Sequence, residues 1–275
     1  MFINAVVIVL QEILEAALML SLLLAFLRHF NRVHAPDALL RKSWVVYSIV
    51  FGLVFAWLYS ENLGAISASF DYVGLELTNA SIHFVTFACL LLIAWVFPLD
   101  EENSVADLSA IRLRVLMFSM MSVVMRAILR EGSEIFQFGG GLIKQEEGAL
   151  SFIAGGLIGA GIGVSAGVLL YFGLTGLSIK KSLAACVLLL ALTAGNMASQ
   201  TVLLLTQADW LPYTAAAWNS EALLSEASAV GELAYALIGY ESTPSWAQAA
   251  VYGLGILGVL LSPVSRKLGA ARSYD

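Results

Sequence analysis

The chain has 275 residues, 60% of them apolar and only 12% charged, with a mean hydropathy of +0.86. Soluble domains carry about 25% charged residues, so a chain of this size has more apolar surface than it can hide from water, and lipid must cover the rest. A net charge of −6 argues against a polybasic nucleic-acid or headgroup surface, which leaves a polytopic membrane protein in contact with membrane lipid.

Apolar runs long enough to cross a bilayer recur at about 2–27, 44–60, 76–97, 113–138, 149–173, 182–205 and 246–264, each near the roughly 20 residues that a spanning helix needs. The alternating pattern of a transmembrane barrel is absent, so the sequence predicts an all-α fold with seven transmembrane helices. The first run lacks a basic leader and contains Glu12 and Glu15, unlike a cleavable signal peptide. Arg28, Arg32, Arg41 and Lys42 follow span one, Arg112 and Arg114 precede span four, Lys180 and Lys181 join spans five and six, and Arg266, Lys267 and Arg272 follow span seven. All fall on one side of a seven-span chain, which by the positive-inside rule puts the N-terminus outside and the C-terminus in the cytoplasm.

The opposite side is acidic, with Lys144 against residues that include Asp71, Glu76, Glu226, Glu232 and Glu241. Solvated loops and a field that gathers cations both account for this. In span five, Gly155, Gly159, Gly163 and Gly167 recur every four residues; this is a packing stripe, since no strand precedes it and no lysine follows as in a phosphate loop. Within the external segment 206–245, Leu223, Leu224, Ala227, Val230, Ala234 and Leu237 recur at helical spacing and predict an amphipathic helix lying on the interface. Cys89 and Cys186 sit in apolar runs and give no disulfide framework.

The informative residues are charges where lipid should exclude them. Span one contains Gln11-Glu12-Ile13-Leu14-Glu15 and span four Arg130-Glu131-Gly132-Ser133-Glu134. Glutamates three apart share a helix face, and a central charge costs at least a few kcal/mol. A packing ion pair with Arg126 or Arg130, or protonated carboxyls, would explain one such residue; four in two matching motifs point to function. Counted from the outer ends of their spans, Glu12 lies roughly 15 Å deep and Glu131 roughly 10 Å deep at 1.5 Å per residue. Four convergent carboxylates make an oxygen-rich site for a hard, highly charged cation. Glu12, Glu15, Glu131 and Glu134 are therefore the predicted metal ligands, with Arg130, Arg126 and Gln11 balancing charge or gating.

Span one runs inward and span four outward, and each opens a group of three. This predicts a 3+3 inverted repeat, about 1–97 and 113–205, with the site between the halves and the seventh span appended. His83, the one histidine within a span, is a packing residue or part of a secondary pathway with Glu76 and Asp71. Met117, Met120, Met121 and Met125 read as packing, Asn196 and Gln200 as helix glue or pathway lining. Ser133 has no visible base to make it a nucleophile.

These motifs resemble the oxidase-dependent iron permeases, a family comprising fungal high-affinity iron permeases and bacterial EfeU, whose hallmark is Arg-Glu-x-x-Glu in the first and fourth of seven helices. Residues 130–134 match the Arg-Glu-Gly-x-Glu form fully, and Leu237-Ile238-Gly239-Tyr240 followed by Pro244-Ser245 is similar to the family's segment before its last helix. Gln11 stands where the family has arginine, and the acidic pair at the start of the third helix is replaced by Asn79 and His83. The resemblance implies ferric iron import across the plasma membrane (the inner membrane in a bacterium), with the four glutamates as ligands. It also implies an extracytoplasmic iron oxidase or iron-binding partner, and iron as cargo with no prosthetic group. The rivals are a permease for a divalent metal, a membrane carboxylate metalloenzyme, which the lack of a His-Glu-x-x-His motif weighs against, and a proton-relay subunit.

Overall fold

The computed structural model describes residues 2–34, 43–96, 110–143 and 148–262. Within them the regular elements are helices: α1 (Phe2–His34), α2 (Ser43–Glu61), α3 (Leu63–Ser67), α4 (Gly74–Val96), α5 (Ala110–Ile143), α6 (Gly148–Gly176), α7 (Ile179–Gln207), α8 (Ala229–Ile238) and α9 (Trp246–Leu260). One isolated bridge, between Ala216 and Ser245, is the sole extended pairing among the described residues. By length and apolar composition α1, α2, α4, α6 and α7 can each cross a membrane. α5 has 34 residues, about 50 Å at 1.5 Å per residue, but four charges from Arg126 to Glu134 interrupt its apolar stretch. α9 has 15 residues and ends at Leu260, short of the 264 expected and of the length that spans unaided.

Small residues set the packing. A Cβ on Gly155 would meet the Phe2 carbonyl at 2.7 Å, and one on Gly159 would strike the Val6 carbonyl. A Cβ on Gly163 would meet Ile13 Cγ2 at 3.0 Å and one on Gly167 Ala17 Cβ at 2.7 Å. As numbers rise along α6 they rise along α1, so the two helices run parallel and all but touch through the glycine stripe. α2 and α5 repeat the arrangement: a Cβ on Gly52 would meet the Met125 carbonyl at 2.9 Å, and one on Gly132 would meet Ala56 Cβ at 3.1 Å. α1 and α5 run antiparallel, Glu15 beside Arg130.

These directions bring Arg28, Arg112, Arg114, Lys180 and Lys181 to one end of the bundle. Arg41, Lys42, Lys144, Glu146, Glu147, Arg266, Lys267 and Arg272 lie outside the described residues. The dry core occupies the same end, where Leu23, Phe26 and Leu27 of α1 pack with Leu90 and Ile93 of α4, Met120 and Val123 of α5, and Leu190 of α7.

The segment after α7 differs from the expected surface helix. Residues 221–227 form turns, and the helix begins only at Ala229, where the Ser228 hydroxyl caps Gly231 N at 3.0 Å. α8 ends at Gly239, φ 66°, a left-handed cap that glycine adopts without strain. A side chain there would overlap Asn196, which lies 11 residues, about 16 Å, inward from the Gln207 end of α7. The helix thus dips into the bundle. Glu241 latches its far end, accepting from Gln200 Nε2 at 3.2 Å and Gln248 Nε2 at 2.7 Å. Gln248 also closes the capping box of α9 with Ser245.

Candidate metal site

Three-residue spacing puts Glu12 and Glu15 on one face of α1, and Glu131 and Glu134 on one face of α5. Because the helices are antiparallel, these faces meet. Glu12, Glu131 and Glu134 each offer a carboxylate oxygen within 4.8 Å of the other two. Glu15 stands apart from that trio and pairs with Arg130, whose Nη1 is 3.3 Å from Glu15 Oε2 and 3.1 Å from Glu131 Oε1. Arg130 Nε lies 3.9 Å from Glu134 Oε1, so one guanidinium serves three of the four carboxylates. The Glu131 side chain is 7% exposed, and its Oε2 has no hydrogen-bond partner among the described residues. A buried carboxylate oxygen left unpaired is costly, and a bound cation removes that cost.

Gly132 faces α2, so the motif's glycine keeps Ala56 close and fixes the helix behind the glutamates. The Ser133 hydroxyl donates to its own helix at Arg130 O, 2.7 Å. α5 continues to Ile143, which puts Glu131 about 18 Å from that end, closer to the depth of Glu12 than the shorter expected span implied.

Two spaces adjoin the cluster. A vestibule of about 350 Å³ opens between α1, α5 and the α8 segment; Gln11, Glu12 and Glu134 line it together with Glu226 and Glu232. A smaller cavity of about 50 Å³ lies beyond Arg130 and includes His83, Arg126, Asn196 and Met197. Arg130, Glu15 and Ala236 line both, so the Arg130–Glu15 pair is the partition between them.

Sequence reasoning put Glu226 and Glu232 only in the outer acidic field and did not single out Tyr235; all three reach the vestibule because α8 folds inward. Gly239 marks in the sequence where that helix ends, but nothing local marks where it docks. Asp71 lies in an exposed turn with left-handed backbone, φ 59°, and Glu76 in the first turn of α4; neither lines the two spaces. Arg126 donates to Cys89 Sγ at 3.5 Å, a thiol remote from the motifs in sequence. Met120 is fully buried, with Met117 and Met121 packed against the core.

Helices of membrane-crossing length, with three carboxylates drawn together between two of them and one of the three buried, are those of a multi-pass membrane protein. The chain belongs to the iron permease FTR1 family, whose model matches residues 2–262. Membership makes it a multi-pass plasma-membrane protein of iron transport, with iron as cargo. No curated protein and no solved structure matches the chain.

Proposed function

We propose that the chain imports ferric iron through an intramembrane site formed by Glu12, Glu131 and Glu134, with Glu15 completing the ligand set when Arg130 withdraws. The carrying observation is the convergence of three carboxylate oxygens within 4.8 Å, one glutamate having a buried unpaired oxygen. Oxygen-only donors favour a hard cation. Four ionised glutamates less one arginine leave three negative charges, the complement of a trivalent ion.

Gln11 removes a positive charge that relatives place beside the first pair. That leaves Arg130 as the cation that competes with iron and keeps binding reversible. Glu226 and Glu232 extend the negative field to the mouth, where an extracytoplasmic oxidase or iron-binding partner delivers the ion. Each charge carried inward gains about 2.3 kcal/mol per 100 mV of inside-negative potential.

Alternation between two repeats moves the ion. The shift that carries Glu12 onto Glu131 and Glu15 onto Glu134 also carries Val6 onto Met125 and Ile13 onto Gly132. The shift that carries Gly52 onto Gly159 carries Ala56 onto Gly163. Gly159 on the Val6 carbonyl and Gly52 on the Met125 carbonyl are therefore one contact in two halves, and so are Ile13 with Gly163 and Gly132 with Ala56. The basic residues gathered at the dry end support a cytoplasmic assignment for that end. In this conformation the vestibule is open and the cytoplasmic half closed.

The test is equilibrium binding of chelated ferric ion to the whole chain in nanodiscs. Glu131→Gln keeps the side chain's shape and is expected to weaken binding at least a hundredfold, about 2.7 kcal/mol. Equal affinity of a folded variant contradicts the site.

A further inference from the structure

The small cavity beyond Arg130 is chemically unlike the carboxylate cluster. His83 is buried, 4% exposed, and its Nδ1 meets the Met197 thioether at 3.3 Å. A thioether is a weak acceptor, and among the described residues this imidazole has no oxygen partner of the kind a merely structural histidine in lipid would find. Met19 of α1, a residue with a second thioether, and Asn196 of α7, one with an amide, also line the cavity. Glu15 and Glu131 close the side nearest the carboxylate cluster. About 50 Å³ exceeds the 10–15 Å³ that one water needs, so an ion with one or two waters fits.

Charge sets how tightly such an ion is held. Arg126 and Arg130 both line the cavity and oppose a cation, while Glu15 and Glu131 offset them. The neutral donors then decide, and imidazole with thioether favours a borderline divalent ion over a hard trivalent one. A nearly balanced cavity binds weakly, as a point of transit must.

We propose that His83, Met197, Met19 and Asn196 form a second, inner cation site for borderline divalent metals, reached from the carboxylate cluster when the Arg130–Glu15 pair parts. The inner site rests on the carboxylate reading, because Glu15 and Glu131 belong to both. A divalent ion that enters by the carboxylate cluster thus meets a second stop of mixed nitrogen, sulfur and oxygen donors, one that a ferric ion does not favour.

The probe is Cu²⁺ in excess with the full chain in nanodiscs, carrying His29→Gln and His34→Gln so that His83 is its one imidazole, read by electron spin echo modulation for ¹⁴N of a coordinated imidazole. This chain is expected to show imidazole coupling that His83→Gln abolishes, with copper still held by oxygen donors. Copper bound without imidazole coupling, coupling that survives His83→Gln, or no copper bound to the folded chain overturns the inner site, while the ferric binding measurement judges the carboxylate site separately. Glu131→Gln assigns the oxygen-bound population: its loss in that variant identifies the cluster, and its persistence contradicts a carboxylate shared by the two sites.

Discussion

Among single residues, Arg130 has the widest reach. It contacts Glu15, Glu131 and Glu134, and removing it leaves the buried Glu131 and the partly buried Glu15 without the guanidinium they share. Breaking one partner from a buried pair costs about 3–5 kcal/mol. Arg130→Gln is therefore expected to lower the unfolding temperature of the metal-free protein markedly. Ferric ion should then raise it by more than it raises wild type, since the ion supplies the lost positive charge. A thermal-shift titration in detergent reads both effects. Equal metal-induced shifts in variant and wild type would contradict competition between arginine and iron. That Glu12 and Glu131 would stand together was legible in the sequence, because glutamates in two apolar runs are cheaper in a shared polar environment than alone in lipid. That Arg130 would draw Glu15 away from the oxygen trio was not legible, since it depends on how two distant helices cross.

Individual helices were legible where one residue type repeats with the helical period and obscure where tertiary contacts decide. The glycine stripe of α6 announced a tight helix contact, though not that its partner would be α1 or that the two would run parallel. Gly159→Leu drives a side chain into the Val6 backbone, whereas a Cβ on Gly161, two residues on, would meet nothing within 4 Å. Overpacking costs about 1–3 kcal/mol and more where backbone must yield. Gly159→Leu is expected to lose folded protein on size-exclusion chromatography, and Gly161→Leu to behave as wild type. Similar behaviour of the two would contradict the close α1–α6 approach.

The external segment was the poorest expectation. Its apolar spacing fits an interface helix, but the latch from Gln200 and Gln248 to Glu241 and the Gly239 cap draw α8 inward, and no local pattern encodes such partners. Gly239→Val combines a left-handed backbone penalty with overlap on Asn196, together about 1–3 kcal/mol. It should speed hydrogen exchange across 229–238 while α1 and α5 stay protected. Unchanged exchange in α8 would contradict the docked position of that helix.

For the whole molecule, composition alone pointed to a membrane, and the two motifs pointed to one place where their glutamates meet. The packing adds a parallel between helix pairs: Gly159 of α6 abuts the Val6 backbone of α1, and Gly52 of α2 abuts the Met125 backbone of α5. Five helices have the length and composition of a span. α5 evades that criterion because the site's own charges lower its hydropathy, and α9 because it is short.

The central claim is that the carboxylate cluster carries iron across the membrane. Its most direct test is uptake into proteoliposomes under an imposed inside-negative potential, comparing ferric, ferrous and manganous ions for wild type and Glu131→Gln. Ferric uptake by wild type is predicted, at least a hundredfold reduced in a variant that reconstitutes equally well. Equal ferric uptake by the two proteins, or no uptake of any metal by folded wild type, would contradict it.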